Sequence, residues 1–207
     1  MVTINTDTDA QTDDTAAAQG AAPAYRYAAF MSYSHRDRRA AERLHSFLES
    51  YRIPRDLVGR ITPRGVVPER LRPIFRDRED LAAAHDLSIE IDTALVESHS
   101  LIVLCSPHAA VSRWANIEVE RFKALRGDSR VFAAILSGEP FASDHPARIA
   151  DECFPPALRS RQTADGPVRI EPVGADLRRE GDGLHAGRLK LIAGINEKAQ
   201  KNDWEIE

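Results

Sequence analysis

At 207 residues the chain is long enough for one compact domain with a real core, plus tails. Its 28 Lys+Arg against 32 Asp+Glu leave a formal charge of −4, which gives no electrostatic reason to expect a nucleic-acid or acidic-membrane partner. Two cysteines, Cys105 and Cys153, make no disulfide framework, the apolar runs are too short to span a bilayer, and no basic-then-apolar start marks a signal peptide. An intracellular, cytoplasmic protein with reduced thiols is the expectation.

Residues 1–24 are rich in Thr, Asp and Ala and hold no Lys or Arg, so little there offsets chain entropy and a disordered leader is expected. The domain is expected over 25–199, and the polar residues 200–207 form a tail. From Tyr27 onward, strand-type apolar runs alternate with segments of helical period. "YAAFMSY" (27–33) reads as a buried strand. The helix after it carries Ala40, Leu44, Phe47, Leu48 and Tyr51 at helical spacing, with Ser34 and Asp37 in the order of a capping box. "RPIFRD" (72–77) is a short second strand, followed by a helix presenting Leu87, Ile91, Ala94 and Leu95 on one face. "SLIVLCS" is the third strand, and "SRWANIEVERF" the helix after it, with Ser112 as N-cap. "RVFAAIL" (130–136) is the fourth strand and "VRIEPV" (168–173) a weaker fifth. A last helix runs through "LHAGRLKLIAGINEKA". Two long connections, 52–71 and 137–167, hold most of the prolines and read as surface excursions. The alternation predicts an α/β domain with a central parallel sheet covered on both faces.

The helix 112–125 poses a specific problem. Trp114, Glu118, Phe122 and Leu125 fall on one stripe, so a carboxylate sits one turn from an aromatic ring on each side, on the face expected to pack inward. A carboxylate against apolar groups costs several kcal/mol unless paired or hydrogen-bonded, so an acid kept there is a candidate for function. The plain alternative is a partly exposed acid paired with Arg121 or Arg113, with Trp114 a packing residue. Ligands of open parallel sheets settle beyond the carboxyl ends of the strands. There the sequence places Ser32, Tyr33, Ser34 and His35 after strand one, "RDRED" (Arg76–Asp80) after strand two, and Cys105, Ser106 and Pro107 after strand three. Each has its bland reading: His35 as a helix-start residue, the charges as a self-paired loop, Cys105 as a small apolar group. No phosphate-cradling glycine loop, zinc-type Cys/His cluster or nucleophile elbow is present, and the seven histidines are scattered.

"YAAFMSYSHRD", "PIFRDRED" and "SLIVLCSPHAAVSRWANIEVERF" together resemble, in order and spacing, the three signature blocks of a bacterial Toll/interleukin-1 receptor (TIR) domain. The resemblance implies a flavodoxin-like TIR fold: α/β, a five-stranded parallel sheet in the order 2-1-3-4-5, helices on both faces. It also implies cleavage of the nicotinamide–ribose bond of NAD+ by the glutamate of a Trp-x-x-x-Glu motif, here Glu118. NAD+ is then the substrate, and no cofactor or metal is implied. Trp114 is expected to wall the cleft, and Tyr33, Ser34, His35 and Ser106 to line it. Arg76 or Arg78 is expected to reach phosphates, and Asp77 beside them is expected to be among the substrate-binding residues. Products would be nicotinamide with ADP-ribose or a cyclic isomer, in antiphage defence or signalling, with self-association through TIR–TIR contacts and a separate effector reading the product. In the family the loop after strand two often runs Arg-Asp-x-x-Pro-Gly, gates the cleft and joins neighbouring domains; here it reads "RDREDLAAAHD", with neither Pro nor Gly. The competing expectations are a non-catalytic TIR–TIR adaptor module, or a nucleoside-processing enzyme such as a deoxyribosyltransferase on the same topology.

Overall fold

The computed structural model describes residues 25–62, 65–76 and 85–196. The expected leader (1–24) and tail (200–207), together with Asp77, Arg78 and the side chain of Leu87, lie outside the described residues.

Five strands form the central sheet: β1 (Ala29–Ser32), β2 (Ile74–Arg76), β3 (Leu101–Cys105), β4 (Val131–Ile135) and β5 (Val173–Asp176). All neighbours are parallel and the order is β2-β1-β3-β4-β5, the 2-1-3-4-5 arrangement the resemblance implied. The reason is legible in β1 and β3, where every residue is buried: a strand covered on both faces needs a continuous apolar run rather than an alternating one. The helices are α1 (Arg38–Ser50), α2 (His85–Val96), the short α3 (Pro107–Ala110), α4 (Arg113–Arg126), the short α5 (Pro156–Arg159) and α6 (Gly183–Asn196). Among the described residues, no helix is long and apolar enough to cross a membrane.

Strand parity divides the core into two. Ala29, Met31, Tyr33, Ile102 and Leu104 pack with Leu44 and Leu48 of α1 and Leu191, Ile192 and Ile195 of α6. Phe30, Leu101, Val103 and Cys105 point the other way, into a layer with Ala94 and Leu95 of α2 and Val119 and Phe122 of α4. A period of two along the strand thus decides which helix each side chain meets.

Two expectations need correction. The fifth strand is not 168–173. Val168 belongs to an antiparallel hairpin, Ser160–Thr163 with Gly166–Arg169, and the sheet strand begins at Val173. Pro172, which has no N–H to donate to a ladder, separates the two. In β5, Gly174 is required by close approach: a Cβ there would lie 2.2 Å from the Ala133 carbonyl oxygen of β4. Nor are the long connections mere surface. Residues 52–71 bury Ile53, Leu57, Val67 and Leu71 around a small hairpin, Ile61–Thr62 with Gly65–Val66. Residues 137–167 bury Ala142, and their Cys153, Phe154, Ala157 and Leu158 complete the α2/α4 layer.

The second connection is organised by a buried acid, Glu152. Its Oε2 accepts from the Ser143 amide (3.1 Å) and hydroxyl (2.7 Å), and its Oε1 from the Phe154 amide at 2.8 Å. Burial alone would raise this carboxyl's pKa, but those donors and the nearby Arg159 guanidinium outweigh it and hold the value below the ordinary one. A depressed folded-state pKa adds stability that is complete above the ordinary glutamate range, about pH 4.3, and drains as pH falls through the lower folded value. Glu152→Gln is therefore expected to be about 2 kcal/mol less stable at pH 7, with the gap to wild type closing below pH 4. Urea titrations across that range read it, and a gap constant from pH 7 to pH 3 would contradict the assignment.

Candidate functional site

The carboxyl ends of β1 and β3 meet at one edge of the sheet. Beyond β1, Tyr33 and Ser34 remain buried, and the chain turns outward through a single 3-10 turn, His35–Asp37, in which the Asp37 amide bonds the Ser34 carbonyl at 2.7 Å. His35 is exposed. The predicted capping box does not form, since neither Ser34 nor Asp37 caps a helix with its side chain. Asp37 instead accepts a hydrogen bond from the Ser106 hydroxyl, Oγ to Oδ2 at 2.5 Å. Ser106 has a second task as N-cap of α3, accepting from the Ala109 amide at 3.1 Å. One hydroxyl, itself fully enclosed, therefore ties the exit of β3 to the entry of α1 across 69 residues of sequence. Parity contains that contact: Ser106 follows Ile102 and Leu104 on the α1 side of the sheet.

Helix α4 starts as predicted, with the Ser112 hydroxyl accepting from the Ala115 amide at 3.3 Å. It ends at Gly127, whose φ of 77° is in the positive range that glycine adopts without strain. Its inward stripe is Ala115, Glu118, Val119 and Phe122, the 0, 3, 4, 7 spacing of one helix face. Glu118 is only 5% exposed, so the acid does face inward. The expected stripe was rotated, however. Trp114 is 59% exposed and Leu125 48%. At about 100° per residue both sit roughly 70–90° from the centre of the buried face. Trp114 and the neighbouring Val111, also exposed, form an apolar rim at this edge rather than an interior wall.

The helix carrying Glu118 is fastened along its length. Asn116 Oδ1 accepts the Ala157 amide at 2.7 Å, and Lys123 Nζ donates to the Ala157 and Ser160 carbonyls at 2.6 and 3.1 Å. Arg121 pairs with Asp92 of α2. A carboxylate held on a helix anchored this way is preorganised rather than free to swing.

Arg76, expected to reach phosphates, is engaged by Glu42 of α1, Nη1 to Oε1 at 3.2 Å. The guanidinium in turn holds the exposed Glu42 carboxyl below its ordinary pKa. Asp77 and Arg78 lie outside the described residues. Both thiols are fully enclosed: burial, with Cys153 nearby, pushes Cys105 well up, and burial with Glu152 close by pushes Cys153 up to about 12. Neither has the anionic character of a nucleophile, which agrees with reading Cys105 as a small apolar residue.

A groove of about 1060 Å³ lies at the opposite edge, bordered by the first residues of β4 and β5. Its most prominent charges satisfy one another: Lys123 pairs with Asp128 at 2.8 Å and Arg161 with the same carboxylate at 3.0 Å. That mutual pairing suits a structural seam better than a reaction centre.

The profile of the TIR domain family matches residues 29–167. The chain is also 34% identical over 158 residues to the NAD(+) hydrolase ApTIR of Actinoplanes sp., an alignment covering 74% of this chain and 19% of that protein. The chain thus spans about a fifth of the length of this curated relative.

Proposed function

The chain belongs to the TIR domain family, and from that membership we propose that it is an NAD+ nucleosidase with Glu118 as its catalytic carboxylate. The observation that carries this reading is the placement of Glu118. It is 5% exposed on the inward stripe of the helix that follows β3, at the sheet edge where ligands of such folds settle. The activity named for the similar Actinoplanes protein supports the choice of substrate.

The chemistry asks little more of the protein. As the bond from C1′ to the pyridinium nitrogen breaks, its electron pair neutralises the nitrogen and nicotinamide leaves uncharged, needing no proton. Positive charge develops on the ribose C1′ and ring oxygen. A fixed carboxylate stabilises that charge in a site from which water is largely excluded, and it accepts hydrogen bonds from the ribose hydroxyls that strengthen as the charge grows. Water then adds at C1′, releasing a proton and giving ADP-ribose; attack by a base nitrogen of the same molecule gives a cyclic isomer instead. Tyr33 and Ser34 beyond β1 supply the inner surface, His35 and Trp114 the exposed rim, and Ser106 fixes the edge itself through Asp37.

Two further parts of the reading concern partners. The exposed Val111 and Trp114 rim is the surface we assign to TIR–TIR self-association, and a nucleotide product fits a role in defence signalling through a separate effector. The deciding experiment is chromatography with mass detection of NAD+ incubated with the protein over a range of concentrations. Release of nicotinamide with a matching ADP-ribose species is the expected result, rising more steeply than first order in protein if assembly completes the site. Intact NAD+ at high protein concentration would leave the non-catalytic interaction module as the function.

A further inference from the structure

Ser32, the last residue of β1, carries a hydroxyl that nothing in the fold explains. The residue is 0% exposed, and among the described residues its Oγ has no hydrogen-bond partner. A buried hydroxyl without a partner typically costs a folded protein about 1–3 kcal/mol, and alanine would fill nearly the same volume without that cost. A group that lowers stability in the resting fold is a candidate for work in another state.

Its address is specific. Strand parity puts Ser32 on the same face as Phe30, which packs in the layer containing Val119 and Phe122 of α4, and its register partner on β3 is Val103 of that layer. Because the sheet is parallel, α4 runs back from the edge where β3 ends, so its inward residues climb toward that edge in the order Phe122, Val119, Glu118, Ala115. Phe30 and Phe122 share one layer. Two residues further along β1, about 6.6 Å, lies Ser32. Four residues back along α4, about 6 Å, lies Glu118. The unpartnered hydroxyl and the buried carboxylate therefore both lie toward the carboxyl edge of this layer, Ser32 on β1 and Glu118 on α4, which packs mainly on the neighbouring β3 and β4.

From this we propose that Ser32 is the positioning residue of Glu118: when the substrate's ribose occupies the site, the Ser32 hydroxyl turns about its single side-chain torsion and donates to the Glu118 carboxylate. The inference rests on the NAD+-cleaving reading. A carboxylate has lone pairs for several donors, so one oxygen can be held by Ser32 while the other faces the ribose. The bond is charge-assisted, and by fixing the carboxylate's orientation against C1′ it counts most as positive charge develops there, so it acts on turnover more than on substrate affinity.

The test compares wild type, Ser32→Ala, Ser32→Cys, Glu118→Gln and the double variant Ser32→Ala/Glu118→Gln by thermal melting and by steady-state NAD+ cleavage. Ser32→Ala is expected to melt at or above the wild-type temperature, since it removes an unsatisfied polar group, yet to lose about 10-fold or more in kcat with KM within about twofold. Ser32→Cys, close in size but a weak donor, should be as slow as Ser32→Ala. The double variant should be no slower than Glu118→Gln alone, the non-additivity expected of a residue that works through another. Wild-type turnover in Ser32→Ala or Ser32→Cys, or a full extra 10-fold loss in the double variant, overturns the role while leaving the activity standing. A wild type that leaves NAD+ intact overturns both, so the two failures are told apart by the first lane of the assay.

Discussion

Glu118→Gln is expected to lower NAD+ turnover by about 10²–10⁴-fold with the fold unchanged. The amide keeps the shape of the acid and can still bond ribose hydroxyls, so ground-state binding should change little. What it lacks is the negative charge, and the charge matters only when C1′ becomes cationic. The loss should therefore sit in kcat, equivalent to about 2.7–5.5 kcal/mol of transition-state stabilisation, with KM nearly constant. In the interior of this helix layer the term is large because little water competes for the developing charge. Quenched time courses and circular dichroism on matched samples check both halves of the statement. A folded Glu118→Gln protein with turnover near wild type would remove Glu118 from the mechanism.

The second large effect is on stability. Phe122 lies one turn below Glu118, fully buried, in the layer shared with Phe30, Val103 and Val131. Phe122→Ala opens a cavity that the anchored helix is poorly placed to close, because α4 is tied to α5 through Asn116 and to α2 through Arg121. The expected cost is about 3–5 kcal/mol, a fall in melting temperature of roughly 6–20 °C for a domain of this size. Activity at low temperature should decline less than stability, since the carboxylate keeps its place while the protein is folded. Calorimetry alongside the cleavage assay separates the two, and an unchanged melting temperature would mean that Phe122 does not bear on the core.

Much of this was readable from residue order. Continuous apolar runs at 27–33, 100–106 and 130–136 mark strands covered on both sides, and the three signature blocks set the sheet order. Local caps were readable too: Ser112 at the start of α4 depends on residues three apart. Contacts made across the chain were less so. The Ser106–Asp37 bond spans 69 residues, and sequence spacing alone favoured pairing Asp37 with Ser34. The Arg76–Glu42 pair joins a strand to a helix two elements earlier, so an arginine read as available for phosphate is already engaged. The placement of Trp114 failed for a different reason. Steps of four, four and three drift around a helix, and assigning the inward face from the two aromatic rings ignored Ala115 and Val119, the small residues that lie against the sheet. The fifth strand was misplaced because "VRIEPV" carries strand-forming residues on both sides of a proline that divides two different pairings.

The stretch recognisable as a TIR domain stops at residue 167, short of Val173–Asp176 and α6. An expression fragment trimmed at that position would strip β4 of its outer neighbour and uncover the face that Leu191, Ile192 and Ile195 close. A naked parallel edge beside bare aliphatic surface is a recipe for clumping. Any cloning boundary meant to yield usable material therefore has to lie beyond Asn196, well past the point at which the family likeness fades.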